Sequence, residues 1–273
     1  MSTNDDNRSV CDIEKENMAQ IRRTNQRGGR CLSIVDLGDA GTLSAEMAGL
    51  CRLFIERGAG FLTGAVPGGA GKTTLMAALL GFLPPGERIV PTEDAHTVQR
   101  AAAGDLPTPL CLLAHEIGQG PWYAYIWGKA ARSFFSLSDP QTRRVTCLHA
   151  DTPPQTAAIL KECGVEDGDI SRIDLELFIR AYGGMRKKHR VTALHGRLDG
   201  ELVPIYCWDP DRDTFVPQRD RREILSGIAG DDRECQDLQQ RWRNCTDQIG
   251  DLRRRNVREF AAVRREIRST PDP

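Results

Sequence analysis

A chain of 273 residues has room for one full α/β domain and an appendage, with enough material for a real core. Its formal net charge of -1 supplies no global basic field for nucleic acid or an anionic membrane, and 6% aromatic content leaves little for a base-stacking platform. The nine cysteines are scattered and odd in number, form no C-x-x-C and have no nearby His to complete a zinc site, so they read as reduced thiols of a cytoplasmic protein.

Residues 1–30 are polar and charged, without the apolar stretch of a signal peptide, and read as a disordered tail with a weak helix at most over 13–21. No uninterrupted apolar run approaches the roughly 18 residues that span a bilayer, so a soluble chain is expected. After a short apolar run at 32–37, Ser44 caps a helix carrying Met47, Leu50, Leu53 and Phe54, which Gly58 and Gly60 stop.

Strand and helix signals then alternate, the pattern of a parallel sheet covered by helices. Residues 61–66 read as a strand, 72–81 as a helix burying Leu75, Leu79 and Leu80, and 88–91 as a strand. An apolar strand at 110–115 delivers Glu116, a helix follows over 122–136, and 145–149 is a strand ending in His149. A helix over 153–163 has Pro154 near its first turn. Beyond it the pairing turns antiparallel: strands at 173–180, 189–198 and 201–208, the last two joined by the Asp199-Gly200 turn. From 217 onward the sequence is charged and helical. Its Arg253, Arg254, Arg255, Arg258, Arg264 and Arg265 are interleaved with acidic residues, as on a solvated helix surface.

The segment Pro67-Gly68-Gly69-Ala70-Gly71-Lys72-Thr73-Thr74 carries the strongest chemical signal. Consecutive amides can turn onto phosphate oxygens only where side chains are small, which the glycines allow, and the following helix start favours negative charge. Lys72 supplies a cation for the β- and γ-phosphates and Thr73 a hydroxyl for Mg²⁺. One position departs from G-x-x-x-x-G-K-[ST]: Val66 stands where the first Gly belongs. Carboxylates at neighbouring strand ends, Glu93, Asp94 and Glu116, are candidates to hold the metal or polarise water if strands 88–91 and 110–115 flank the loop's strand.

In this order the features resemble the secretion and type IV pilus ATPase superfamily, over roughly residues 50–267. Four places carry the resemblance: the phosphate loop, the segment 86–94 ending in Glu93-Asp94 (an acidic box), the segment 112–118 around Glu116 (a Walker B strand), and the segment 145–150 around His149 (a histidine box). The resemblance implies a RecA-like P-loop NTPase domain over 31–216, with a mainly parallel central sheet and an antiparallel C-terminal extension, and a helical region over 217–273. It also implies ATP and Mg²⁺ as cofactors, with residues 67–74 on the nucleotide, Thr73, Asp94 and Glu116 on the metal, and Glu116, Glu93 and His149 in catalysis. The implied partners are further copies of the chain, up to a hexamer, and a secretion or pilus machine at the inner face of the membrane. No feature calls for nucleic acid. Two departures stand out: the family's further glutamate, three residues after the Asp, is here Thr97, and most of its N-terminal domain has no counterpart. Arg132, Arg143 and Arg144 are candidates to reach a neighbour's phosphates. The alternative expectation is a nucleotide-gated regulatory module with little hydrolysis, or another P-loop NTPase such as a kinase or a nucleic-acid-stimulated enzyme.

Overall fold

The computed structural model describes residues 9–25, 28–184 and 187–269. Much of the expected N-terminal tail is a helix, α1 (Val10–Thr24), which begins on a Ser9 cap accepting from the Asp12 amide. Burial of Asn17 explains its docking. The Asn17 amide donates to the Glu87 carbonyl (2.7 Å) and accepts from the Ile89 amide (2.8 Å), so one side chain satisfies backbone along an otherwise open sheet edge. Composition alone hides such a pairing. Next come α2 (Ile34–Asp39), closed by a reciprocal Ser33/Asp36 capping box, and α3 (Ala45–Glu56), capped by Ser44 as expected.

Strand β1 (Phe61–Gly64) is followed by α4 (Lys72–Leu80), β2 (Arg88–Pro91) and α5 (Ala95–Ala102). After these come β3 (Leu110–Leu113), β4 (Glu116–Ile117), β5 (Tyr125–Ile126) and α6 (Lys129–Ser136). The helix expected over 122–136 is thus only its second half. Ala124 and Gly128 adopt positive φ and the backbone at 125–126 pairs with β4, which leaves no helical ladder before residue 129. Then follow β6 (Thr142–Leu148), α7 (Pro153–Glu162), the short α8 (Asp167–Ile170), β7 (Leu175–Tyr182), β8 (Lys188–Leu198), β9 (Glu201–Asp209) and β10 (Thr214–Pro217). Three helices come last among the described residues: α9 (Arg221–Ser226), the 23-residue α10 (Asp232–Arg254) and α11 (Phe260–Ser269).

The strands form one sheet in the order β10-β9-β8-β7-β1-β6-β3-β2, with β4 and β5 set against β6. Pairs from β7 across to β2 are parallel, and those from β7 to β10 antiparallel. Helices α1–α4 and α9–α11 share one apolar core against the first face, while α5–α8 cover the second. The C-terminal helices are therefore an integral part of the first layer. Arg264 of α11, almost wholly buried, donates to the Leu80 (3.0 Å) and Gly81 (2.9 Å) carbonyls and pairs with Glu14 of α1. It caps the end of α4 and ties α1 and α11 to that helix.

This order corrects the expected neighbourhood of β1. Its flanking strands are β6 and β7, whereas β3 lies one strand further out and β2 forms the edge.

Candidate functional site

Beyond Gly64 the chain leaves the sheet and re-enters as α4. Gly69 (φ +81°) and Gly71 (φ +104°) both sit in the left-handed region, and a Cβ on Gly71 would also press on Ile179 and His189. Gly71 is the cap residue of α4 and no side chain caps it. The first helical bond runs from the Leu75 amide to the Gly71 carbonyl, so the amides of Lys72, Thr73 and Thr74 lie in the uncapped first turn. An anion is the natural partner for such a turn. His189 Nδ1 donates to the Ala70 carbonyl (2.8 Å), fixing that oxygen on its own side of the loop.

The departure at Val66 has a physical counterpart. Its backbone is held at both ends from beyond β6: the amide donates to Asp151 Oδ1 (3.0 Å), and its carbonyl accepts from His149 Nδ1 (2.9 Å). Val66 has no positive φ, so its β-branched side chain meets no backbone objection and stands in solvent. Asp151 also takes Arg180 of β7 at 2.8 Å, and this ion pair holds the arginine's pKa above its ordinary value.

Lys72 is buried and its ammonium lies at the centre of the site. Its Nζ is 3.1 and 3.2 Å from the two ring nitrogens of His149 and 3.6 Å from Glu116 Oε2. His149 Nε2 stands 2.8 Å from Glu116 Oε1, and the Tyr125 hydroxyl donates to Glu116 Oε2 at 3.4 Å. Glu116 reaches this cluster because β4 lies against β6, pairing Ile117 with Leu148 next to His149. Loop residues 68–74, Glu116, Tyr125, His149 and His189 line a cavity of about 510 Å³, together with Thr24, Asn25, Gly28, Arg30, Cys31 and Leu32.

Glu93 and Asp94 are not brought to this cluster. They follow the edge strand β2, both are exposed, and neither lines the cavity. Asp94 instead caps α5, accepting from the Thr97 amide (3.0 Å) and hydroxyl (3.2 Å), bonds that hold its carboxyl below the usual range. The expected adjacency fails because two strands, β6 and β3, separate β2 from β1. Pro67 belongs to the exposed start of the loop and does not line the cavity either.

The three candidate arginines also fall elsewhere. Arg143 and Arg144 lie at the opposite end of β6 from His149, about 20 Å away at strand rise. Arg143 is buried against Glu87, and Arg144 donates to the Phe135 (2.9 Å) and Leu137 (2.5 Å) carbonyls. Arg132 pairs on the surface with Glu166 at 3.5 Å. Sequence reading missed Asp151, Arg180 and Tyr125. Their local sequence carries no motif, and only the sheet order makes them neighbours of the loop.

A mainly parallel sheet that delivers an uncapped Gly-rich loop and helix from one strand, and a carboxylate from another, sets the class: a mixed α/β fold consistent with the P-loop ATPase-like architecture. No protein-family model matches the sequence, and no curated protein matches it. Among solved structures the chain is similar to the X-ray structure of the Legionella pneumophila ATPase DotB, at 14% identity and a TM-score of 0.38. The similarity covers 73% of this chain and 54% of that one, so it spans about half the length of that protein. At that score the likeness adds no weight, and the class rests on the sheet order and the loop. No helix among the described residues is long and apolar enough to cross a membrane.

Proposed function

We propose that the chain binds and hydrolyses ATP with Mg²⁺, as a motor-type ATPase resembling those of secretion and pilus assembly. One observation carries the nucleotide reading: an uncapped helix start, a buried lysine, a carboxylate and an imidazole share one cavity. The amides of residues 68–74 take phosphate oxygens, and Lys72 moves from Glu116 and His149 to the incoming phosphate charge. Glu116, relieved of the ammonium, orients the attacking water, while His149 keeps the carboxylate in place from 2.8 Å. In the reaction the water oxygen bonds to the γ-phosphorus, the bond to the bridging oxygen breaks, and the water proton leaves by way of Glu116.

The residues fit the metal as well. Mg²⁺ arrives on phosphate oxygens and needs only one or two protein ligands, and Thr73 and Glu116 both line the cavity. Bound there, the ion would neutralise charge developing on the phosphates. Among the described residues no group of three His, Cys, Asp or Glu side chains is arranged to hold a metal alone. That fits a nucleotide-borne ion.

Association into a homo-oligomer, up to a hexamer, and service to a secretion or pilus machine at the inner face of the membrane complete the reading, on the strength of the sequence motifs. Lys72→Ala tests its core. Calorimetry should show nucleotide binding lost and phosphate release should fall to background; undiminished hydrolysis eliminates the mechanism. Phosphate release that rises faster than linearly with protein concentration would support sites completed between subunits.

A second reading, a nucleotide-gated module with little turnover, is favoured by one observation. The expected acidic box lies at the far edge of the sheet, with Thr97 tied to Asp94. It requires ATP binding with negligible phosphate release at any protein concentration.

A further inference from the structure

The cavity has two unlike walls. The phosphate loop, with its amides and ammonium, forms the first. Thr24 and Asn25 at the end of α1 and Gly28, Arg30, Cys31 and Leu32 before α2 form the second, and Ala77 of α4 also lines the cavity. A volume of about 510 Å³ lies within the range taken by whole small-molecule ligands. The space therefore extends beyond a phosphate cradle.

Arg30 decides what the second wall can take. Its guanidinium is bidentate on Asp36, with NH2 2.7 Å from Oδ1 and NH1 2.9 Å from Oδ2, and NH1 also donates to the Arg258 carbonyl at 3.2 Å. The Asp36 side chain is only 9% exposed and is itself bonded to Ser33 in the α2 capping box, so the ion pair has a fixed base. The Arg30 side chain nevertheless remains 53% exposed. Its charge is already answered and its N–H edge already bonded, which leaves little for a phosphate. Its flat face remains, held in one plane, and a planar guanidinium stacks on aromatic rings. Leu32, packed on the main core, and Ala77 add apolar surface to the same cavity.

The wall is also anchored to the reacting end. Arg23 of α1 donates to the Tyr123 hydroxyl at 3.0 Å and lies over that ring, two residues before the Tyr125 that reaches Glu116. Asn17 fixes the same helix to β2.

We propose that this N-terminal wall is the nucleoside half of the site: Arg30 stacks on the base, while Leu32 and Ala77 supply apolar contact beneath base and ribose. The assignment rests on the nucleotide reading of the phosphate loop. It gives the segment before α2 a share in substrate selection, favouring nucleoside triphosphates over bare polyphosphate.

The test compares two probes, Mg-ATP and inorganic tripolyphosphate, by calorimetry on the full chain and on Arg30→Ala and Arg30→Lys. The lysine variant keeps a cation for Asp36 and removes the flat face. Both variants should bind ATP roughly tenfold more weakly, the size of one lost stacking contact. Both should bind tripolyphosphate as the parent does, and Arg30→Lys, which keeps a cation beside Asp36, should melt near the parent's temperature. Unchanged ATP affinity, full recovery with lysine, or equal weakening for both probes overturns the proposal. A parent chain that binds tripolyphosphate as tightly as ATP overturns it too, while leaving the phosphate loop's role standing. A parent that binds neither removes both.

Discussion

Arg143→Met separates two roles for that arginine, because they predict opposite results. As a structural pillar, Arg143 holds Glu87 through Nε and through NH2 at 2.7 Å, and donates from NH1 to the Ile55 (2.6 Å) and Ala59 (3.1 Å) carbonyls. Glu87 is 3% exposed and Arg143 7%. Removing the cation strands a buried carboxylate whose pKa burial already pushes up, together with two carbonyls. Breaking one side of a buried pair typically costs about 3–5 kcal/mol, a large share of the roughly 5–15 kcal/mol that holds a domain together. The loss is read from urea denaturation followed by Trp fluorescence, with the fully buried Trp242 as a reporter. Nucleotide affinity of the remaining folded protein should match the parent. Pairing the change with Glu87→Leu removes the stranded charge and should recover most of the stability. The reasoning is refuted if Arg143→Met unfolds at the parent's urea concentration while hydrolysis collapses, since that is the signature of an arginine reaching phosphates.

Asp151→Ala frees the Val66 amide and Arg180 together, so nucleotide affinity should drop roughly tenfold, about 1.4 kcal/mol, while urea stability changes little because Arg180 is half exposed. Calorimetry decides it, and unchanged affinity would mean that the loop holds its shape unaided. Glu93→Ala and Asp94→Asn should leave Mg²⁺-dependent phosphate release at the parent rate; a tenfold fall would restore their metal role. Burial pushes Glu176 from 4.5 to about 7, so the folded state binds the extra proton between those values. That contribution to stability is complete below about pH 4.5 and is lost as the pH rises to 7, at up to about 1.4 kcal/mol per unit. Buried His115, pushed down to about 4, tilts the other way between pH 4 and 6.5, so the measurement is the difference between parent and Glu176→Gln. The variant should gain on the parent from pH 5 to pH 8 in melting temperature, and equal profiles would contradict a protonated Glu176.

The alternation of helices and strands, the antiparallel hairpins after 173 and the loop at 67–74 were all legible in the chain, because each is written in local chemistry. Apolar period, capping residues and glycines at left-handed positions act over a few residues. Glu116 and His149 were also readable, as polar residues at the ends of apolar strands. The misplaced residues share one cause. Glu93 and Asp94 follow a strand just as Glu116 does, and nothing nearby in sequence shows that β2 takes the edge while β6 inserts between β1 and β3.

Sequence by itself determined that a Gly-rich loop ending in Lys72 opens a helix here and which strand delivers it, since backbone freedom and helix start are properties of neighbouring residues. Only the tertiary structure decided which carboxylate meets Lys72, that Asp151 and His149 hold the Val66 backbone, and that Arg30, Cys31 and Leu32 line the same cavity. These depend on strand order and on contacts across the whole chain, such as Asn17 with β2 and Arg30 with Asp36 and the Arg258 carbonyl. Their energy is gained only once the sheet has assembled, and no local pattern announces it.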